Sequence, residues 1–200
     1  MTGWTRHEGI ALALDEANVD TDQLIPARFM SRPRSEGYGA FLLHDRRRGE
    51  DGAPNAHSLN AHAPSVLVTG RNFGSGSSRE AAVYALVDFG IRAVLAPSFG
   101  DIFAGNAVNN GLLPGRLDEA GHAALTAALA DGPAPAVIDL EAGEARIGEA
   151  VAAFELDPVW RTKLANGWDD IDLTARHADA IEAFARSRKR LAPWAWPAQA

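Results

Sequence analysis

The chain is predicted to be an α/β protein, and three observations support this class. Short apolar runs typical of strands alternate with segments whose apolar residues recur at helical spacing. Such alternation is typical of a sheet covered by helices. A glycine- and serine-rich loop, residues 70–80, lies where a predicted strand passes into a predicted helix. The 200 residues include 46% hydrophobic ones, which is enough to form a globular core.

The predicted elements follow one another along the whole chain. Strands are predicted at residues 10–14, 65–68 and 91–95, and a β-hairpin at 136–140 and 144–147, with 150–156 extending its sheet. Helices are predicted at 80–89, 104–109, 118–130, 158–166 and 175–187, and a turn at 111–114. The strand–helix–strand order over residues 65–95 predicts parallel strands joined by a right-handed crossover. We expect a single domain over residues 1–200, in which about 116–200 form a hairpin and helical C-terminal portion.

The loop of residues 70–80 has the composition of an anion-binding site. Backbone N–H groups at the start of a helix are unpaired and carry partial positive charge, so a carboxylate or phosphate is favoured there. Ser77 and Ser78 add hydroxyl donors, and Arg79 adds a planar fork that matches a carboxylate. The alternative interpretation is a tight turn whose serines only cap the helix.

Several better-known loops are excluded by residue identity. A P-loop needs a lysine directly after its second glycine, and no lysine follows here. A dinucleotide fingerprint that starts at Gly74 and Gly76 needs a third glycine where Arg79 stands. A nucleophile elbow needs glycines two residues away on both sides of its serine, and no serine of the loop has them. Nucleotide binding and esterase chemistry are therefore not predicted.

Several segments resemble one protein family, in the same order along the chain. They are NVDTDQLIP at 18–26, NFGSGSSRE at 72–80, APSFGDIF at 96–103, residues 106–114 and residues 164–177. Together they resemble the small subunit of 3-isopropylmalate dehydratase, which corresponds to the swivelling C-terminal domain of aconitase. The resemblance covers about residues 10–190. It implies an aconitase-type swivelling domain with mixed β/β/α layers, a strand–loop–helix anion site and additional C-terminal helices.

The resemblance implies a heteromeric hydro-lyase that isomerises 2-isopropylmalate and 3-isopropylmalate by dehydration and rehydration in leucine biosynthesis. In that family a [4Fe-4S] cluster acts as the Lewis acid, and cysteines of the large subunit hold it. This chain has no cysteine, and thiolates are what hold such clusters. The expected partners are therefore a cysteine-bearing large subunit and a small dicarboxylic acid substrate, and the chain by itself is expected to be inactive.

The resemblance also assigns roles to individual residues of the loop 70–80, which we call the serine loop. Ser77 matches the family's proton-abstracting serine. Arg79 and the helix start would stabilise its anionic form, and Arg79 would also hold a substrate carboxylate, with a further contact from Ser78. Asp20 and Asp22 match the family's Asp-Thr-Asp segment that approaches the active site, and the resemblance implies that Asp22 is catalytic together with Ser77. For Asp20 and Asp22 the alternative is turn and cap formation before the segment that follows them.

A second loop, residues 31–39, resembles the family's substrate-recognition loop. Arg32 or Arg34 of this loop is expected to bind the second carboxylate of a malate-like diacid. The residues do not decide between the two arginines. For each of them the alternative is a solvated side chain.

The sequence departs from the bacterial pattern near the serine loop. Small subunits of bacteria commonly have Cys and His where this chain has Ser75 and Ala81, and Pro-Trp where it has residues 83–84. Because Ser77 and Arg79 are intact, the reaction is better supported than the substrate. Two alternatives stay open. One is a paralogous small subunit for another 2-alkylmalate or for maleate or citraconate hydration, and the other is a non-catalytic carboxylate-binding or assembly module.

Composition limits the remaining classes. A net charge of −7 and a pI near 5.3 give no electrostatic support for a nucleic-acid surface. The apolar run at residues 10–14 is too short for a membrane span or a signal-peptide core, so a cytoplasmic protein is expected. His57 and His62 have no evident third partner for a metal site. Trp194 and Trp196 are expected to dock either on a partner or on the core of the chain itself, and the second is favoured.

Overall fold

The computed structural model describes residues 2–196. Its strands form a closed barrel in the order β1-β2-β3-β4-β7-β6-β5. The strands are β1 (Arg6–Leu14), β2 (Val66–Thr69), β3 (Ala93–Ala96), β4 (Leu113–Leu117), β5 (Ala134–Asp139), β6 (Glu144–Ile147) and β7 (Ala150–Glu155). The helices are α1 (Thr21–Leu24), α2 (His44–Arg47), α3 (Ser58–Ala61), α4 (Glu80–Phe89), α5 (Asp101–Asn109), α6 (Glu119–Ala127), α7 (Pro158–Asn166), α8 (Asp170–Ala175) and α9 (Ala178–Leu191).

The barrel combines a parallel half with an antiparallel half. Strands β1 to β4 are mutually parallel, and the β2–α4–β3 unit has the parallel strands predicted for it. The hairpin β5–β6 and strand β7 are antiparallel, as predicted. The sheet closes because β5 pairs with β1 and β7 pairs with β4, both antiparallel. Closure leaves none of these strands as an open edge.

Strands β2 and β3 are buried on both faces, which explains their almost wholly apolar sequences. In β3, Ala93 and Leu95 belong to the cluster formed by residues from all the strands around the barrel. Val94 and Ala96 belong to a second cluster, which joins the outer face of the sheet to α1, α4 and α5. The alternation follows from the two-residue period of a strand. The second cluster holds α1, α4 and α5 against one side of the barrel.

The helix boundaries follow local rules. Asp157 caps α7 by accepting hydrogen bonds from the N–H groups of Val159 and Trp160, and Pro158 occupies the first helical position. Gly167 ends the same helix in the left-handed conformation. The structure confirms the predicted α7 at residues 158–166 and α4 at 80–89.

Two predicted elements differ from the structure. Of the turn predicted at residues 111–114, only Gly111 lies in a turn, with a φ of 77°, and the end of the prediction is wrong because Leu113–Leu117 form β4 beside β3. Pro114 lies in this strand opposite Val94 and is buried. A proline and a glycine in a short apolar run predicted a break, but burial between two strands outweighs that local preference. The C-terminal helix predicted at 175–187 is instead α9, preceded by the separate helix α8.

The last helix and the tail after it are largely exposed. None of the residues of α9 is buried, and Phe184 is 70% exposed. The prediction that the tail tryptophans dock on the core is wrong for Trp194, which is 81% exposed, whereas Trp196 is 39% exposed. The 3₁₀ turn Pro193–Ala195 packs against α9, the helix that it follows. Across residues 2–196, the helices are all too short or too polar to span a bilayer.

Candidate active site

The serine loop is held between two neighbouring segments of backbone. It leaves β2 after Thr69 and reaches α4 at Glu80. On one side the N–H of Gly74 donates to the carbonyl of Val19 at 2.7 Å, and the N–H of Thr21 donates to the carbonyl of Ser75 at 2.9 Å. On the other side, Phe73 pairs with Phe99 in a parallel bridge. The loop therefore continues the strand order β1-β2-β3 beyond the end of β2.

Aromatic packing fixes the first half of the loop. Phe73 is fully buried, and its ring lies edge-on to Phe103 with 5.4 Å between the ring centres. Gly74 has a φ of 71°, and a Cβ there would lie 2.2 Å from the ring of Phe103. Only glycine satisfies both the conformation and the close approach. The turn that presents the serines is thus rigidly supported.

The serines do not cap the helix that follows them. The N-cap of α4 is Arg79, which makes no side-chain cap hydrogen bond. Ser77 and Ser78 are both exposed. The backbone of Ser77 is nevertheless held, because its carbonyl accepts hydrogen bonds from the hydroxyl of Thr21 at 3.2 Å and from the N–H of Arg79 at 2.8 Å. The cap interpretation is therefore wrong for these serines.

A small pocket of about 210 Å³ opens beside Ser77. It is lined by Gly74, Ser75, Gly76, Ser77, Gly100, Asp101, Ile102 and Phe103. The first residues of α5 contribute to its wall, and α4 begins at Glu80, three residues beyond Ser77. Helix N-termini favour anions, and the first residues of α5 line this pocket. A larger cavity of about 610 Å³ shares only Asp101 with this pocket, and its Arg116 and Glu155 are paired with each other.

Arg79 and Asp22 meet across the site. The Arg79 guanidinium, 23% exposed, forms an ion pair with the Asp22 carboxylate, which is 55% exposed. Asp20 behaves differently, since it accepts from the N–H of Gln23 at 2.7 Å and completes a capping box for α1. The cap interpretation therefore holds for Asp20, whereas Asp22 contacts the arginine of the serine loop.

The two arginines of the second loop lie elsewhere. Arg34 is hydrogen-bonded to Asp88 on α4, at 3.0 and 3.2 Å. Arg32 is 58% exposed and approaches Glu36 at 3.5 Å. The structure thus brings Ser77, Asp22 and Arg79 together. Arg34, in contrast, is bonded to a residue of α4 and not to the serine loop.

Comparison with known proteins identifies the family. Residues 1–120 match the aconitase C-terminal domain. The 3-isopropylmalate dehydratase small subunit of Frankia casuarinae is 45% identical over 194 residues, which cover 96% of this chain and 98% of that one. The small subunit of Parafrankia sp. is 47% identical over 192 residues, 94% of this chain and 96% of the relative. The chain belongs to the family of 3-isopropylmalate dehydratase small subunits.

A solved structure of this family has the same fold. The 3-isopropylmalate dehydratase of Methanocaldococcus jannaschii superposes with a TM-score of 0.67 at 29% identity, covering 89% of this chain and 99% of that chain. The resemblance and the fold class predicted from the sequence are both confirmed. Closure of the sheet into a barrel was not part of that prediction.

Glu80, the first residue of α4, is held by Asn110, whose side-chain N–H donates to it at 2.8 Å. Asn110 itself is fixed because it also donates to the carbonyl of Asn106 at 2.9 Å. Sequence reasoning did not single out Asn110, although it lies in the 106–114 segment that resembles the family. Burial and the neighbouring Glu80 carboxylate raise the pKa of Tyr84, one turn further along α4.

The donor groups of this chain do not fit an iron–sulfur cluster. Membership in an aconitase-type dehydratase family indicates an iron–sulfur enzyme, and the small-subunit relatives imply a large-subunit partner. The chain has no cysteine. Within residues 2–196, no three His, Asp or Glu side chains are grouped closely enough to hold a metal ion. A thiolate-bound cluster therefore needs ligands from another chain.

Proposed function

We propose that this chain is the small subunit of a hydro-lyase that isomerises 2-isopropylmalate and 3-isopropylmalate together with a large subunit. The names of its relatives favour this function over a paralogous substrate or a non-catalytic module. The observation that carries the proposal is the arrangement at the start of α4. An exposed serine that is not used as a cap lies two residues before an arginine, and that arginine is paired with Asp22. A purely structural turn needs none of these groups.

The serine is proposed to handle the proton. Ser77 Oγ would take the proton from the carbon next to a substrate carboxylate, and it would return a proton there in the reverse direction. A serine is a weak base, so its anionic form requires nearby positive charge. Arg79 and the N-terminus of α4 supply that charge in a fixed geometry. The departing hydroxyl needs an acid that this chain lacks, and we propose that a [4Fe-4S] cluster held by cysteines of the large subunit supplies it.

Substrate binding is proposed to use the same helix start. Arg79 and Ser78 would bind one carboxylate of a small dicarboxylic acid, since a guanidinium fork and a helix start both favour carboxylates. Arg32 or Arg34 would bind the second carboxylate. Asp22 would keep the Arg79 fork oriented when no substrate is present. A cytoplasmic location and the absence of a nucleic-acid partner stay predictions from the sequence, as does the single domain over residues 1–200.

The test is anaerobic reconstitution with the cognate large subunit. Isopropylmalate, citraconate and maleate are offered to the wild-type complex and to complexes carrying Ser77→Ala or Ser75→Ala. We expect isopropylmalate turnover that falls by about 10²–10⁴-fold in Ser77→Ala, the range for loss of a catalytic base. Ser75→Ala makes the same kind of change at a different serine of this loop and should keep most of the activity.

The outcomes separate the candidate functions. Turnover of citraconate or maleate in place of isopropylmalate would move the chain to a paralogous enzyme. A complex with a full iron complement but no turnover of any of the three acids would support the non-catalytic module. Equal activity of Ser77→Ala and wild type would remove Ser77 from the mechanism.

A further inference from the structure

The pocket of about 210 Å³ beside Ser77, which we name the serine pocket, has a second wall at the start of α5. This wall is fixed to the serine loop. The N–H of Phe73 donates to the carbonyl of Ser98 at 3.1 Å, and the N–H of Gly100 donates to the carbonyl of Phe73 at 2.9 Å. A Cβ at Gly100 would lie 2.7 Å from the carbonyl oxygen of Gly74, so the two backbones are in direct contact. The start of α5 therefore has a set position relative to Ser77.

Ile102 places an aliphatic side chain in this wall. It is the second residue of α5, it lines the serine pocket together with Ser77, and it is 58% exposed. The other lining residues are glycines, serines, one aspartate and Phe103, which is only 3% exposed. Isoleucine in a helix has one strongly preferred rotamer, so little freedom is lost when a ligand packs against it. The serine pocket thus has a polar wall from the serine loop and an ordered apolar surface opposite it.

The chemistry of the proposed reaction brings an apolar group to the same place. In 3-isopropylmalate the isopropyl group is attached to the carbon that loses its proton, and in 2-isopropylmalate it is attached to the neighbouring carbon. In both directions the group is therefore one or two bonds from the carbon that faces Ser77 Oγ. An apolar branch so close to Ser77 is either covered by the wall of the pocket or left in water, and covering it is favourable.

We propose that Ile102 binds the isopropyl group of the substrate and so determines the preference of the enzyme for a branched acid. Ile102 contacts the alkyl branch and takes no part in the transfer of the proton. The proposal deepens the proposed function and rests on it for the identity of the substrate. The preference for an apolar branch can nevertheless be measured without turnover.

The first test measures binding alone. Calorimetric titration of the anaerobic reconstituted complex gives Kd for succinate, 2-methylsuccinate and 2-isopropylsuccinate, which have no hydroxyl group to lose. In the wild type we expect 2-isopropylsuccinate to bind about tenfold more tightly than 2-methylsuccinate, the scale for two additional buried carbon atoms. Ile102→Ala should reduce this ratio to about twofold and leave the Kd of succinate unchanged. Ile102→Leu keeps the apolar volume and should keep most of the ratio.

A matched control is available on another helix. Ile171 is also the second residue of its helix, α8, and is 77% exposed, but it is not among the residues that line the serine pocket. Ile171→Ala therefore removes the same side chain from an equivalent helix position and should bind all three acids like the wild type. Because Ile102 is exposed as well, urea unfolding of Ile102→Ala should match that of the wild type.

The second test measures turnover in the same complexes. We expect kcat/KM for 3-isopropylmalate to fall about tenfold in Ile102→Ala. For 3-methylmalate, which has a methyl group at the same carbon, the change should be less than about twofold. Analytical ultracentrifugation should give the same affinity for the large subunit in Ile102→Ala and in the wild type.

The outcomes separate this proposal from the proposed function. An unchanged binding ratio in Ile102→Ala would overturn the role of Ile102, even in a complex that isomerises isopropylmalate. Equal losses for all the acids together with weaker association of the subunits would place Ile102 in the subunit interface, and this would also overturn the proposal. A binding ratio that depends on Ile102 in a complex without isopropylmalate turnover would support the role of Ile102 while refuting the proposed function.

Discussion

The carboxylate of Asp22 is paired with the guanidinium of Arg79, although the two residues are 57 positions apart in the chain. Asp20, two residues earlier, caps α1 and faces its own helix. The two acidic residues of one Asp-Thr-Asp segment therefore have separate tasks. Asp20 stabilises the start of α1, and Asp22 forms an ion pair with the arginine that is proposed to bind substrate.

Replacing Asp22 should impair turnover without unfolding the protein. In Asp22→Asn the Arg79 fork loses its charged partner and samples more orientations, so we expect kcat/KM to fall by about 10–100-fold, the usual scale for a misplaced binding group. The free energy of unfolding should change by less than about 1 kcal/mol, because the pair is partly exposed. Steady-state kinetics and urea unfolding of the same preparation check both statements. An Asp22→Asn complex with wild-type kinetics would contradict the role given to this carboxylate.

Asp20→Ala should show the opposite pattern. Loss of the capping box leaves an N–H group of α1 without its partner and costs about 1 kcal/mol of stability. The pairing of Arg79 with Asp22 is kept, so kcat should stay within about threefold of the wild type. Chemical unfolding measures the first effect and reconstituted activity the second. A larger loss of activity than in Asp22→Asn would reverse the assignment of the two residues.

The candidate site was predictable as a region but not in its contacts. Glycines, adjacent serines and an arginine between a strand and a helix are local features, and they predicted the place of Ser77, Ser78 and Arg79. The sequence left open whether Asp20 and Asp22 cap a helix or join the site. That choice depends on how α1 lies against the serine loop, and only the fold defines this. The engagement of Arg34 by Asp88 depends on tertiary packing in the same way, across 54 positions of sequence.

The fold shows the same division between local and long-range information. Apolar periodicity predicted α4 and the strands on either side of it, because β2 and β3 are buried on both faces. Closure of the barrel depends on the pairing of β1 with β5, which no local pattern encodes. Strand β4 was missed because Pro114 and Gly115 break its apolar run, and only the burial of both residues between β3 and the rest of the barrel overrides that signal.

Side chains on α9 should contribute little to the stability of the chain. Phe184 is 70% exposed, so Phe184→Ala should change the free energy of unfolding by less than about 0.5 kcal/mol. Phe73→Ala removes a fully buried ring from the serine loop and should cost about 3–5 kcal/mol. Urea unfolding of the isolated small subunit measures both values. A loss above about 2 kcal/mol in Phe184→Ala would mean that α9 packs on the barrel in solution.

Lys163 and Asp170 should make stability depend on acid pH. The ammonium of Lys163, only 3% exposed, contacts Asp170 at 2.7 Å and also Asn109. The Lys163 hydrogen bond, followed by that of Asn109, holds the pKa of Asp170 below its ordinary value of 3.8. A carboxyl whose pKa is lower in the folded state stabilises that state above its unfolded pKa, and the contribution is lost as pH falls through the folded pKa.

Asp170→Asn should therefore be destabilised at neutral pH and approach the wild type in acid. We expect a loss of about 1–2 kcal/mol at pH 7, at the low end for a buried charge because the carboxylate itself is 72% exposed. The difference should narrow as pH falls below about 4. Urea unfolding at a series of pH values measures it, and Asp179→Asn on exposed α9 serves as the matched control variant. A constant difference between the two proteins down to pH 3 would show that the ion pair does not stabilise the junction of α7 and α8.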